Sequence, residues 1–301
     1  MRAIAIGTRG SKLAMIQAEE LLAKLKEAFP GLKAGLVKIT TRGDRYKTTA
    51  LDKFAGQGIF IKELEKALLE GRIDLAVHSL KDLPTEIPPG LMLAAITARL
   101  DPRDVLVSRC GSLFEFTPGS KIGTGSHRRA VQLLALRSDL KVGNIRGNID
   151  TRLRKVSYGE FDGVIVAAAA LIRLGCEDRI TEYLPAENFT PAVGQGALGI
   201  EALAGDKEIS TLLSKINDKA TWQAVTAERT FLQELGGGCR APIAALGIVS
   251  GHILKLTGMV ASTDGSQILR ASVEGNDSTP EKIGKLLAHK MTGMGALALI
   301  A

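Results

Sequence analysis

The chain is short of cysteine, histidine, aromatic side chains and long apolar runs, and each shortage excludes a class of protein. Its 301 residues contain only three cysteines, Cys110, Cys176 and Cys239, with no Cys-x-x-Cys pair, and four histidines. An odd number of widely spaced cysteines is not a disulfide framework, and so few ligands argue against a structural zinc site. Aromatic residues make up 4% of the chain, which leaves few stacking platforms for nucleic acid. The longest apolar run, Val164 to Ile172, falls well short of the ~18 residues that mark a membrane span. Met1 to Gly7 reads straight into a strand with no signal-peptide h-region or cleavage site, so the expected location is the cytoplasm. Apolar residues at 45% and charged residues at 24% are those of an ordinary globular protein. At about 150 residues per domain, the length leads us to expect two or three domains.

Positive charge is concentrated. Residues 121–155 hold nine Lys/Arg and two Asp/Glu, so this stretch carries the whole net charge of +7 while the rest balances to zero. Such concentration fits either an anionic ligand or a solvated basic face. The pattern along the first hundred residues alternates strand and helix: a strand over 3–6, a helix capped by Ser11 and running to Ala28, a strand over 36–41, a helix over 59–70 and a strand over 73–77. A second such unit follows, with strands at 105–108, 121–123, 142–145 and 163–166 and helices at 126–136, 150–158 and 167–174. A strand over 194–201 is placed to rejoin the first unit. From about Thr221 the character changes to a helix over 222–235, then Gly236-Gly237-Gly238-Cys239, alternating strands and a last helix opening at Thr279-Pro280. The expected fold class is α/β, mostly parallel, with a small α+β domain at the C-terminus.

In open α/β sheets ligands bind beyond the carboxyl ends of the strands. The loops expected there are Thr8-Arg9-Gly10-Ser11-Lys12, Thr41-Arg42-Gly43-Asp44-Arg45, Ser79-Leu80-Lys81-Asp82, Thr124-Gly125-Ser126-His127-Arg128-Arg129 and Arg146-Gly147-Asn148. Each carries a cation, and arginine, which suits bidentate carboxylate or phosphate recognition, predominates. Gly123 to Gly125 lacks the spacing of a dinucleotide fingerprint, and no P-loop is present. Asp82, an acid among these cations, could stabilise a cationic intermediate or exchange a proton with one; it could equally cap a helix or pair with Lys81 or a nearby arginine. Cys239, in a glycine-rich loop beside Arg240, is the one cysteine in a reactive setting.

Taken in order, Thr8-Arg9-Gly10-Ser11, Thr41-Arg42-Gly43-Asp44, Ala76-Val77-His78-Ser79-Leu80-Lys81-Asp82-Leu83-Pro84, Asp101-Pro102-Arg103-Asp104, Arg146-Gly147-Asn148 with Thr151-Arg152-Leu153, Pro191-Ala192-Val193-Gly194-Gln195-Gly196 and Gly237-Gly238-Cys239 resemble the porphobilinogen deaminase (hydroxymethylbilane synthase) family over nearly the whole chain. The resemblance implies three domains. Two are α/β domains like those of type II periplasmic binding proteins, at 1–98 with 196–217 and at 99–195, enclosing a central active-site cleft. The third, α+β, spans 218–301. It implies a transferase of heme biosynthesis that joins four porphobilinogen molecules head to tail into a linear tetrapyrrole, releasing ammonia at each step. The work is primed on a dipyrromethane cofactor held by a thioether to Cys239.

Site residues follow by the same resemblance. Asp82 is the catalytic acid, stabilising the cation left by ammonia. Lys81, Asp82, Ser126, Arg128, Arg129, Gly147 and Asp44 join Cys239 in holding the cofactor. Arg9, Ser11, Lys53, Ser79, Thr124, Arg146, Arg152, Arg173 and Gln195 bind substrate, whose acetate and propionate groups make the growing chain a polyanion. No metal, nucleic acid or membrane is implied; the expected form is a monomer passing its product to uroporphyrinogen-III synthase. Three positions depart from the family pattern: Gln57 stands where many members have lysine, Gly125 where they commonly have serine, and His127 where they have an apolar residue. Two other readings compete. A non-enzymatic anion-binding protein accounts for the arginine loops but not for the Gly-Gly-Cys loop, and a nucleic-acid binder accounts only for the basic stretch.

Overall fold

The computed structural model describes residues 2–40, 61–236 and 241–300. These form two compact units, one of residues 1–99 with 197–222, the other of 100–196 with 223–301. In the first unit the chain runs β1 (Ile4–Arg9), α1 (Lys12–Ala28), β2 (Ala34–Ile39), α2 (Lys62–Leu69), β3 (Leu75–Ser79) and β4 (Leu91–Ile96). It returns after residue 196 as β10 (Leu198–Leu203) and α6 (Lys207–Ser214). The sheet order is β2-β1-β3-β10-β4. β1 pairs in parallel with β2 and β3, and β10 runs antiparallel between β3 and β4. Four strands therefore point one way and one runs against them.

Local sequence explains the elements. Ser11 caps α1 by accepting the Ala14 N–H at 3.3 Å, as small hydroxyl residues do at helix starts. Ala18, Leu21 and Leu25 of α1 pack on one face of the sheet with Ile4, Ile6, Leu75, Val77, Leu198 and Ile200. Leu64, Ala67 and Leu68 of α2 cover the other with Ile73, Ala76 and Leu91. Burial on both faces is why these strands read as continuous apolar runs rather than alternating ones. Gly7 belongs to this packing, because a Cβ there would strike Ile73 Cδ1.

The second unit repeats the plan. It contains β5 (Asp104–Ser108), β6 (Lys121–Gly123), α3 (His127–Leu136), β7 (Lys141–Gly143), α4 (Ile149–Ser157), β8 (Gly163–Ala167), α5 (Ala168–Leu174) and β9 (Glu182–Tyr183). Sheet order is β7-β6-β8-β5-β9, again with one strand, β5, antiparallel to its neighbours. The same unit holds α7 (Lys219–Glu234, from residue 223 onward), β11 (Ile243–Ser250), β12 (Ile253–Ala261), β13 (Ile268–Asn276), α8 (Pro280–Gly293) and α9 (Ala296–Ile300). β11, β12 and β13 form an antiparallel sheet whose core is Phe231, Leu254, Leu256, Val260, Leu287 and Met291. The described residues thus make three sheets, two α/β and one α+β, which is the expected fold class. No helix among them is long and apolar enough to cross a membrane.

The sequence pattern misplaces some boundaries. The strand expected over 194–201 begins only at Leu198, because Gly194 and Gly196 adopt φ of 71° and 97° and turn the chain. β4, Leu-Met-Leu-Ala-Ala-Ile, was not anticipated; it has neither alternation nor β-branched residues before its last position, so nothing local marks it as a strand.

Candidate active site

Parallel pairing brings the carboxyl ends of β1, β2 and β3 to one end of the first sheet. Arg9 and Ser11 follow β1 there, and the loop is fixed by the Ser11 cap and by buried Thr8, whose Oγ1 donates to the Ala14 carbonyl at 2.9 Å. Lys38 at the end of β2 lies over the same loop, since a Cβ on Gly10 would run into its Cε. Ser79 ends β3, and its Oγ accepts a hydrogen bond from Gln17 Nε2 at 2.8 Å.

The chain then makes a single 3₁₀ turn, Leu80–Asp82. Leu80 is buried, its N–H donates to the Ala197 carbonyl at 3.1 Å, and Leu83 N–H closes the turn onto Leu80 at 3.1 Å. With Leu80 as anchor, Lys81 is half-buried and Asp82 is exposed. Directly before the turn, His78 Nε2 sits 3.0 Å from Glu201 Oε2, both side chains buried on adjacent strands. Glu65, facing that pair, has its pKa raised by burial and by the Glu201 charge.

In the second unit the ends of β6, β7 and β8 lie together, and antiparallel β5 starts there, Asp104 pairing with Ala167. Asp104 is fully buried and gathers three of the expected site residues. Arg128 Nη1 lies 2.8 Å from its Oδ2. Arg129 Nε and Nη2 donate to Oδ1 at 3.0 and 2.7 Å, and Gln195 Nε2 donates to Oδ1 at 2.9 Å. Arg128 Nη1 also donates to the Thr190 carbonyl at 2.7 Å and Arg129 Nη1 to the Ile165 carbonyl at 3.1 Å. Burial by itself would raise the Asp104 pKa, but the two guanidiniums outweigh it and hold the carboxyl well below the usual range.

The other expected residues of this unit make contacts of their own. Thr124 is buried and its Oγ1 accepts the Ser126 N–H at 3.1 Å. Arg146 is exposed. Gly147 has φ of 107°, Arg152 Nε donates to its carbonyl at 2.9 Å, and Asn148 caps α4 through the Thr151 N–H at 3.0 Å. Arg173 Nη1 reaches the Gly196 carbonyl at 3.3 Å. Gln195 is 1% exposed and spends its second amide hydrogen on the Pro102 carbonyl at 2.7 Å. Asp44, Lys53, Gln57 and Cys239 lie outside the described residues.

Sequence reasoning passed over several residues that hold this site. Asp104 appears in it only as part of a motif, and Gln17 and Lys38 only unremarked within the expected first helix and second strand. Glu228, buried in α7, accepts the N–H groups of Gly194 and Gly247 at 2.7 and 2.8 Å. Arg270 on β13 donates to Thr190 Oγ1 at 2.9 Å and to the Asn188 carbonyl at 2.7 Å. The signal available for Asp104 was an acid opening an otherwise apolar strand, Val105-Leu106-Val107, where burial demands a cationic partner.

Comparison with known proteins gives the arrangement a context. Residues 4–211 match the family model "Porphobilinogen deaminase, dipyromethane cofactor binding domain", and residues 222–293 match "Porphobilinogen deaminase, C-terminal domain". A porphobilinogen deaminase of Alkaliphilus metalliredigens is 49% identical over all of this chain and 95% of its own length. Those of Pelotomaculum thermopropionicum and Roseiflexus castenholzii are 48% and 46% identical over 98% and 99% of this chain, covering 95% and 98% of theirs. Some solved structures share part of the fold at low identity. The periplasmic VFT2 domain of Bordetella pertussis BvgS covers 71% of this chain and 86% of its own at 14% identity and a TM-score of 0.42, too low to add to the assignment.

Proposed function

The chain belongs to the porphobilinogen deaminase family, a transferase that condenses four porphobilinogen molecules into hydroxymethylbilane on a dipyrromethane cofactor, and from that premise we propose how its residues divide the work. The observation that carries the proposal is chemical: in each α/β unit the described cationic loops follow strand ends at one side of the sheet, and the reaction handles a chain of pyrroles bearing acetate and propionate groups. When bound, the dipyrromethane supplies the free pyrrole α-carbon to which the first substrate is joined. Its carboxylates match the donor set around Asp104, where two buried guanidiniums face one acid.

Arg128, Ser126, Gly147, Lys81 and Asp44 hold the cofactor, with Cys239 as its point of attachment and Arg129 contributing its positive charge from behind Asp104. Arg9, Ser11, Lys53, Ser79, Thr124, Arg146, Arg152, Arg173 and Gln195 bind and orient substrate. Arginine forks give the bidentate, directional grip that fixes which pyrrole edge meets which carbon. Asp82, exposed at the tip of its turn, places a negative charge against the cation that develops as ammonia leaves, and accepts a pyrrole proton. Lys81 adds a point charge beside it. The proposal extends to three domains at 1–98 with 196–217, 99–195 and 218–301, to a cytoplasmic monomer, and to hand-over of the product to uroporphyrinogen-III synthase.

The experiment is the intact mass of the denatured protein, followed by peptide mapping. A mass excess of two linked pyrroles on the peptide containing Cys239, absent from Cys239→Ala, is the expected result. An unmodified wild-type chain that gains no mass on incubation with porphobilinogen would overturn the assignment of these residues.

A further inference from the structure

The cluster at the start of β5 is one negative charge short. Arg128 and Arg129 are each 6% exposed and Asp104 is 0% exposed. Among the described residues Asp104 is the only acid that pairs with either guanidinium; their remaining partners are the Thr190 and Ile165 carbonyls and the Gln195 amide. Two buried positive charges with one buried negative charge are costly unless an anion completes the set.

The two arginines are also bonded differently. Arg129 turns its Nε–Nη2 edge onto Asp104, so the edge best shaped for a carboxylate is already spent. Arg128 is held only by Nη1, between Asp104 Oδ2 and the Thr190 carbonyl, and its Nε and Nη2 meet no protein acceptor among the described residues. A guanidinium gripped at one terminal nitrogen, with its Nε–Nη2 edge left over, is prepared for one bidentate carboxylate.

We propose that Asp104 is a positioning residue for carboxylate recognition: it clamps Arg128 through Nη1 so that the Nε–Nη2 edge is presented to a carboxylate of the dipyrromethane, while Arg129 balances the Asp104 charge. This rests on the family reading of the preceding section. Asp104 itself touches no ligand; it acts through Arg128, and its effect on cofactor capture is separable from its effect on folding.

The test uses full-length protein made in cells that produce no porphobilinogen, then incubated with porphobilinogen while intact mass is followed. Asp104→Asn keeps the shape but loses the charge, and it is expected to gain the two-pyrrole mass about tenfold or more slowly than wild type. Should that variant fail to give a cooperative thermal transition, Asp104→Glu serves: it keeps the buried negative charge and both arginines but moves the carboxylate by one methylene, so the hold on Arg128 is displaced. It too is expected to load slowly. Either folded variant acquiring the mass at the wild-type rate, with only a lowered Tm, would overturn the clamp and leave Asp104 a structural ion. A wild-type chain that acquires no mass would instead overturn the assignment of the cofactor-holding residues on which it rests.

Discussion

At the scale of single residues, exposure separates chemistry from support. Asp82 stands at the exposed tip of a turn whose hold on the fold is Leu80. Replacing Asp82 with Asn should therefore leave Tm almost unchanged while porphobilinogen consumption falls by about 10²–10⁴-fold, the usual range for a positioned acid–base group. Near-normal turnover in that variant would remove Asp82 from the chemistry. Gly147 is the opposite case, a residue with no reactive group that the geometry requires. Its φ of 107° is unsuited to other residues, and a Cβ there would come within 2.7 Å of Thr151 Cγ2. Gly147→Ala is expected to cost roughly 1–3 kcal/mol in urea unfolding and to raise KM, because Arg152 rests on the Gly147 carbonyl. Gly125 is less constrained. Its Cβ position lies 3.2 Å from the Ile145 carbonyl, so the serine that the family pattern leads one to expect there fits this backbone after a shift of a few tenths of an ångström.

At the scale of elements, the site depends on contacts between segments far apart in sequence. β10 pairs with β3 from Leu198 opposite Ser79 to Ala202 opposite Leu75; the residue just before this late strand, Ala197, supplies the carbonyl that anchors the Asp82 turn, and the strand itself supplies the Glu201 that meets His78. In the second unit, Arg270 of β13 reaches Thr190 and Asn188, and Gln132 of α3, the helix that carries Arg128 and Arg129, accepts from it at 3.3 Å. Burial lowers the Arg270 pKa, and since arginine stays protonated in proteins the contact is a charged one. Arg270→Gln should lower unfolding free energy by about 1–3 kcal/mol, the usual penalty for leaving buried partners unmet. Its melt should broaden if the antiparallel sheet then unfolds ahead of its neighbour. A sharp melt at the wild-type Tm would show that the strap carries no energy.

At the scale of the whole molecule, the buried Asp104 cluster should be visible in acid. A carboxyl whose folded pKa is depressed binds fewer protons than its unfolded counterpart, so its stabilisation is present above the unfolded pKa, about 4, and is lost as pH falls below it. Wild type should thus exceed Asp104→Asn by about 3 kcal/mol or more near neutrality, with the gap closing as pH drops below about 4. Denaturant melts across that window measure it, and a gap independent of pH would mean that shape rather than charge is at stake. Much of this protein follows from the chain alone. Alternating apolar runs and caps such as Ser11 set the two α/β units, because local propensity and burial period act within a few residues. The arginine loops after the strands already indicate an anionic ligand, and the family resemblance carried by the motifs from Thr8 to Cys239 implies that it is a pyrrole chain. What the tertiary structure decided is which of those cations is free to act. Whether Arg128 or Arg129 offers its carboxylate edge depends on Asp104, Thr190 and Gln195 converging from separate strands and loops, and the wide sequence separation of those partners leaves no local pattern to read. β4 and the late start of β10 were hidden for the same reason: sheet neighbours and two glycine turns, rather than the residues' own preferences, determine them.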